Sequence, residues 1–225
     1  MAAAGLAFAA GGGVDVAPLR SPAVELWLIR HALPVRIDGG SAPADPALSP
    51  EGARQADRLA AWWAPHGVDH VYASPLRRAQ ETAAPLAEAA GAPTTTEAAL
   101  TEFDAHLPSY VPMEELRADP VAWQEAVEAW TSPEAEQERQ EFRRTVVAAV
   151  DAIADAHRGQ RVAVVCHGGV INAYLSQLLH LPGTIFFEPA YTSVSRVISG
   201  DTHRQLVSLN EAPHLGALVV PSTAR

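Results

Sequence analysis

Val24-Glu25-Leu26-Trp27-Leu28-Ile29-Arg30-His31 is a short apolar run that ends on a guanidinium and an imidazole. A run of this length and composition fits a buried strand, and a strand that delivers a cation and an imidazole side by side suits a phosphate site. A second run, Val162-Ala163-Val164-Val165-Cys166, ends in the same manner at His167-Gly168-Gly169. Two histidines on two strand ends can meet.

Outward from these two segments, strand-like runs at 24–30, 68–73 and 162–166 alternate with long helical patterns. That order predicts a mostly parallel sheet covered by helices. Ser49-Pro50, Ser74-Pro75 and Ser132-Pro133 each read as a helix start, serine capping free N–H groups and proline occupying the first helical position. The first helix is expected to place Ala53, Ala56, Ala60 and Trp63 on one face. The helix after Pro133 should turn Phe142, Val146, Val150 and Ile153 inward and leave Glu136, Arg139, Arg143 and Arg144 in water. After His167, the stripe Val170, Ile171, Tyr174, Leu175, Leu178 and Leu179 predicts a helix packed directly on the sheet.

Residues 105–131, with Pro108, Pro112, Pro120, several acids, Trp123 and Trp130, read as a lid-like insertion, irregular or partly helical. Thr192–Ile198 and His203–Leu209 flank Ser199-Gly200-Asp201-Thr202, a pattern for an antiparallel hairpin. The expected organisation is a flexible N-terminal tail over 1–22, one domain over 23–211 and a loose C-terminal tail over 212–225.

With 225 residues, 48% of them hydrophobic, the chain has material for one sizeable core. A formal net charge of −10 weighs against nucleic acid or an anionic membrane as partner, while leaving room for a local basic pocket that focuses one small anion. Cys166 is the one cysteine, so there is no internal disulfide and no thiolate cluster for structural zinc. The nine histidines are scattered, without an HExxH-like spacing. No cofactor and no metal are therefore expected. No stretch approaches the ~18 consecutive apolar residues of a membrane span, and the first twenty residues lack the basic and apolar regions of a secretory signal. A soluble, cytoplasmic protein is expected, with its oligomeric state open.

The segment Ser74-Pro75-Leu76-Arg77-Arg78-Ala79-Gln80-Glu81-Thr82 poses an electrostatic question. Two arginines in a first helical turn oppose the helix dipole at ~0.3–1 kcal/mol each. A bound anion removes the conflict, because a helix N-terminus and a guanidinium both favour phosphate oxygens. Arg77 reads as solvated charge, and Arg78 as the ligand. In His167-Gly168-Gly169, the glycines let backbone approach a ligand closely just before a helix begins.

Together these segments resemble the histidine phosphatase superfamily, the phosphoglycerate-mutase-like proteins. The family's Arg-His-Gly signature is matched by Arg30-His31-Ala32, and its Ser-x-Leu-x-Arg-Ala-x-Gln-Thr segment by Ser74 to Thr82 with Glu81 in place of glutamine. The family's second histidine is matched by His167-Gly168-Gly169. Leu48-Ser49-Pro50-Glu51-Gly52 with Gln55-Ala56 is similar to its first helix start. The likeness runs in order from Val24 to Asn210.

The resemblance implies a three-layer α/β/α sandwich with a mostly parallel central sheet and a two-step transfer through a phosphohistidine. His31 would attack phosphorus, while Arg30, Arg78, His167 and Gly168 hold the phosphoryl group of a small phosphorylated substrate. Glu102, in Leu100-Thr101-Glu102-Phe103-Asp104, would protonate the leaving oxygen, with Asp104 as rival. Ala32 departs from the signature glycine, and the Ser/Thr and Asn that many members carry shortly after it are missing. Arg36 is a candidate replacement, and Glu81 is expected behind the site, orienting Arg78. Trp123, Trp130, Tyr110 and His106 are candidates for leaving-group contact. The expected activity is phosphomonoester hydrolysis. Phosphoglycerate mutase is the first alternative, disfavoured because Phe103-Asp104-Ala105-His106 lacks the mutases' longer Glu-Arg-x-Tyr-Gly pattern. A noncatalytic phospholigand-binding relative is the second.

Overall fold

The computed structural model describes residues 22–201 and 203–218. Six strands form one sheet: β1 (Val24–Arg30), β2 (His70–Ala73), β3 (Thr94–Thr96), β4 (Arg161–Cys166), β5 (Val194–Ser199) and β6 (Arg204–Glu211), in the order β3-β2-β4-β1-β5-β6. The four strands on one side, β3, β2, β4 and β1, are parallel, and the β5-β6 hairpin is antiparallel to its neighbours. The helices are α1 (Pro50–Trp63), α2 (Arg77–Ala90), α3 (Met113–Ala118), α4 (Pro120–Thr131), α5 (Pro133–Ala156) and α6 (Gly168–Leu178).

Alternation along the central strands divides the core in two. Leu26, Leu28, Val162, Val164 and Cys166 face Val146, Val150 and Ile153 of α5 and Val170, Ile171, Tyr174 and Leu175 of α6. Trp27, Ile29, Ala163 and Val165 face Leu59 and Trp63 of α1 and Ala79, Ala83 and Leu86 of α2. A parallel sheet covered on both faces explains why β1 and β4 read as unbroken apolar runs.

Register matters most for the site. Arg30 pairs with Cys166 at the parallel ends of β1 and β4, so the next residues, His31 and His167, emerge side by side. The end of β2 lies beyond β4, where Ser74 N–H donates to the Val165 carbonyl at 3.0 Å. Three neighbouring strand ends thus carry His31, His167 and Ser74, in the crevice where open α/β sheets place ligands.

Several expectations are corrected. Ser49 and Ser132 do cap α1 and α5, but α2 starts at Arg77 with Leu76 as its uncapped N-cap. Ser74 is engaged in the site instead. On α1 the buried face runs through Ala56, Leu59, Ala60 and Trp63, and Ala53 is exposed. Arg139 is only 4% exposed, because it lies under the Phe103 ring, 5.5 Å from its centre, in the lining of a cavity that Trp130 also borders. Leu179 lies beyond α6 and is exposed.

β3 was not anticipated: Thr94-Thr95-Thr96 is exposed at the sheet edge and carries no apolar signal. The 105–131 insertion is largely helical, as α3 and α4. The C-terminal stretch expected to be loose folds over 213–218 into 3₁₀ turns against α1, burying Leu215. Residues 219–225 and, except for Pro22, the expected N-terminal tail lie outside the described residues.

Candidate active site

The loop after β1 carries His31, whose imidazole is 2% exposed. Nδ1 lies 2.8 Å from the Ala32 carbonyl oxygen, an acceptor, so Nδ1 bears the proton and Nε2 keeps its lone pair. Arg78 Nε donates to that lone pair at 3.3 Å. Burial first, then the charges of His167, Arg78 and Arg30, hold the His31 pKa well below the usual histidine range. The neutral imidazole expected of a nucleophile is therefore favoured mainly by desolvation, with the arginines contributing less.

His167 sits beside it, fully buried, with ring centroids 5.1 Å apart. Its Nε2 is 2.7 Å from Ser74 Oγ, while Nδ1 has no hydrogen-bond partner among the described residues. Ser74 Oγ also accepts from Leu76 N–H, so its own proton is free to go to Nε2 of His167. That leaves Nδ1–H as a donor directed away from Ser74. The sequence alone predicts Ser74 as a helix cap. The signal that separates the two roles, adjacency of the β2 and β4 ends, exists only in the sheet.

Arg30 and Arg78 supply positive charge. Arg30 lies 4.0 Å over the Tyr191 ring, donates to the Pro189 carbonyl and stands 3.9 Å from Glu188. Arg78, in the first turn of α2, is 2% exposed and lies 5.0 Å from the centre of the Tyr110 ring. Arg30 Nε and Arg78 Nη1 are buried donors with no partner among the described residues. Buried donors of this kind are costly unless a ligand or water completes them. Arg77 is solvated as expected and pairs with Glu81 at 2.7 Å. Its backbone N–H goes to Asp45 at 2.8 Å, which also relieves the charge conflict at the start of α2.

Glu102 approaches from the loop after the 3₁₀ turn at Ala98–Leu100. One carboxylate oxygen accepts from Gly169 N–H at 2.8 Å, at the start of α6, and the other from its neighbour Phe103 N–H at 3.1 Å. The approach requires glycine, since a Cβ on residue 169 would fall 2.1 Å from Glu102 Oε1. Burial and the nearby Asp104 raise the Glu102 pKa to about 7 against the two N–H bonds. Burial raises that of Asp104 as well.

Arg30, His31, Arg78, Glu102, Asp104, Tyr110, Trp130 and Gly168 line one cavity of about 320 Å³. His167 stands behind it. Arg36 does not reach it: its guanidinium pairs with Asp38 and Glu115. Glu81 receives Leu48 N–H and Arg77, so it does not orient Arg78. Ala32 is accommodated without positive φ, and its N–H donates to Thr82 Oγ1 at 2.9 Å. His106 and Trp123 lie outside the cavity lining. Trp123 meets Trp130 edge-on.

The model of the histidine phosphatase superfamily, branch 1, matches residues 26–212 and so takes in every residue of this constellation. The chain belongs to the histidine phosphatase superfamily. Among relatives in that superfamily, the probable phosphoglycerate mutase GpmB of Yersinia enterocolitica is 30% identical over 168 residues, covering 71% of this chain and 76% of the relative. A phosphoserine phosphatase variant from Entamoeba histolytica, in complex with phosphoserine, has a TM-score of 0.65 at 21% identity, covering 85% of this chain and 99% of that one. A putative alpha-ribazole-5'-P phosphatase from Escherichia coli gives 0.64 at 24% identity, with 84% and 98% covered. At these identities the structural likeness establishes the histidine phosphatase fold.

Proposed function

We propose that the protein is a phosphomonoester hydrolase acting through a phosphohistidine on His31. The observation that carries this reading is His31 Nε2: a buried lone pair, its tautomer fixed by Ala32, facing Arg78 in a cavity that also holds Glu102. In the first step Nε2 attacks phosphorus in line, the bond to the ester oxygen breaks, and that oxygen takes the proton of Glu102. Arg30, Arg78 and Nδ1–H of His167 donate to the equatorial oxygens, where charge builds up, with Gly168 beside them. In the second step water attacks phosphorus and gives its proton to the Glu102 carboxylate. The P–N bond breaks, phosphate leaves and neutral His31 returns.

The raised pKa of Glu102 supports its assignment as the acid, because a group titrating near 7 can both give and take a proton. Asp104 raises that pKa by its charge and serves as the electrostatic neighbour. Incubation with a labelled phosphate donor should leave acid-labile label on wild type and none on His31→Ala. Equal hydrolysis by both proteins would overturn the mechanism.

The mutase name carried by the Yersinia relatives favours a second reading, in which a bound phosphoglycerate takes the phosphoryl group in place of water. Phosphate release measured beside phosphoglycerate interconversion separates the two. Hydrolysis should dominate, and a mutase turnover far above phosphate release would reverse the assignment.

A further inference from the structure

The charges around the cavity are unevenly divided. Arg30 and Arg78 stand at the His31 end, and both are committed there to the phosphoryl group. Beyond them the wall is formed by Leu107, Val111, Met113, Leu116, Trp130 and Ile185. Of the two acids in the lining, Glu102 commits its proton to the ester oxygen, and an ionised Asp104 repels a second carboxylate. Other cations near this cavity face acids, Arg117 pairing with Glu188 and Arg36 with Asp38 and Glu115, while Arg139, 3.8 Å from Glu136 and with Nε unpartnered among the described residues, lines the neighbouring cavity and not this one.

We propose that the ester's leaving group is an uncharged, largely apolar alcohol, an alkyl or similar chain that lies along the α3–α4 wall, and that phosphoglycerates are poor substrates. The inference rests on the hydrolase reading above. A leaving group with its own carboxylate would be desolvated against apolar side chains and two acids, without a guanidinium to meet it. An apolar chain meets no such penalty and gains from each buried methylene. Ser109 and Tyr110, the hydroxyls of the lining, can receive the ester oxygen's neighbours without requiring charge. The same loop and helix residues, Phe103, Asp104, Leu107 and Trp130, separate this cavity from a second one of about 540 Å³ against α5, whose lining carries Glu138, Arg139 and Glu141 and so does not share the apolar character.

The test compares methyl, n-butyl and n-hexyl phosphate with 3-phosphoglycerate and glycerol 3-phosphate on the full chain. All are esters of aliphatic alcohols, which keeps the chemical step similar. KM should fall about two- to fourfold per added methylene, and kcat/KM for n-hexyl phosphate should exceed that for 3-phosphoglycerate at least tenfold. Leu116→Arg should narrow that ratio by giving the wall a cation. A KM that is flat along the alkyl series, or a preference for 3-phosphoglycerate in wild type, would overturn the apolar leaving group while leaving hydrolysis in place. Absence of phosphate release from every ester, with no label on His31, would remove the hydrolase reading and this inference with it.

Discussion

At the scale of single residues, the proposed nucleophile, acid and phosphate ligands make separable predictions. Arg78→Ala should lower kcat/KM about 10²–10³-fold, the range expected on losing a donor to a charged transition state. Glu102→Gln should lower kcat for alkyl esters about 10²–10⁴-fold. Because the Glu102 proton is lost near pH 7, kcat/KM of wild type should decline as pH rises through about 7, and this alkaline limb should vanish in Glu102→Gln. If Asp104→Asn removes the limb and Glu102→Gln does not, the acid is Asp104. Gly169→Ala offers a test that keeps the identity of every reacting group and shifts only the Glu102 carboxylate. Its Cβ would fall 2.1 Å from Glu102 Oε1 and force the carboxylate to shift, so activity should fall at least tenfold while the circular dichroism spectrum is kept. Arg30, His31, Arg78 and Gly168 stand out in the sequence through their place at strand ends and helix starts, whereas Glu102 is reached only through the family resemblance, with Asp104 as its rival. Ser74 does not stand out, because a serine before proline reads as a cap until the strand beside it is known.

At the scale of elements, the β1–β4 register is what turns two sequence segments into one site. Helices declared themselves where a stripe had to be buried on the sheet, as in α6. They misled where a second layer lay above them, as at Arg139 on α5, whose burial depends on the 103–107 loop and α4. β3 was invisible for the opposite reason: it is short, exposed and made of threonine. The α1 packing prediction is specific. Leu59 is fully buried between α1 and the Trp27 face of the sheet, so Leu59→Ala should cost about 2–5 kcal/mol in a urea unfolding titration. Ala53→Ser, on the exposed side of the same helix, should cost less than about 0.5 kcal/mol.

At the scale of the molecule, stability and pH are linked through the buried site. Glu102 has a raised pKa in the folded state, so its contribution to stability is full below the ordinary glutamate value of 4.5 and is lost as pH rises through about 7. His31 and His167 have depressed values, so their contribution is present above 6.5 and is lost as pH falls below it. Thermal melts should show Glu102→Gln losing part of the decline between pH 4.5 and 7, and His31→Ala losing part of the decline on acidification. A melting temperature with the same pH dependence in both variants as in wild type would contradict this linkage. The C-terminal 3₁₀ turns join the same body: His214 meets Thr192 Oγ1 at 2.9 Å, and Thr192 N–H donates to the Arg30 and His31 carbonyls.

The sequence by itself determined that two apolar strands end on histidines, that an arginine opens a helix against its dipole, and that helices cover both faces of a largely parallel sheet. These are local patterns of polarity and charge, and they persist whatever surrounds them. Only the tertiary structure decided that the Arg30–Cys166 pairing sets the two rings 5.1 Å apart, that Ser74 serves His167, that Glu102 rests on Gly169, and that the far wall of the cavity is apolar. Each of those depends on groups distant in sequence sharing a desolvated space, where proximity fixes proton positions and affinities that no single segment encodes.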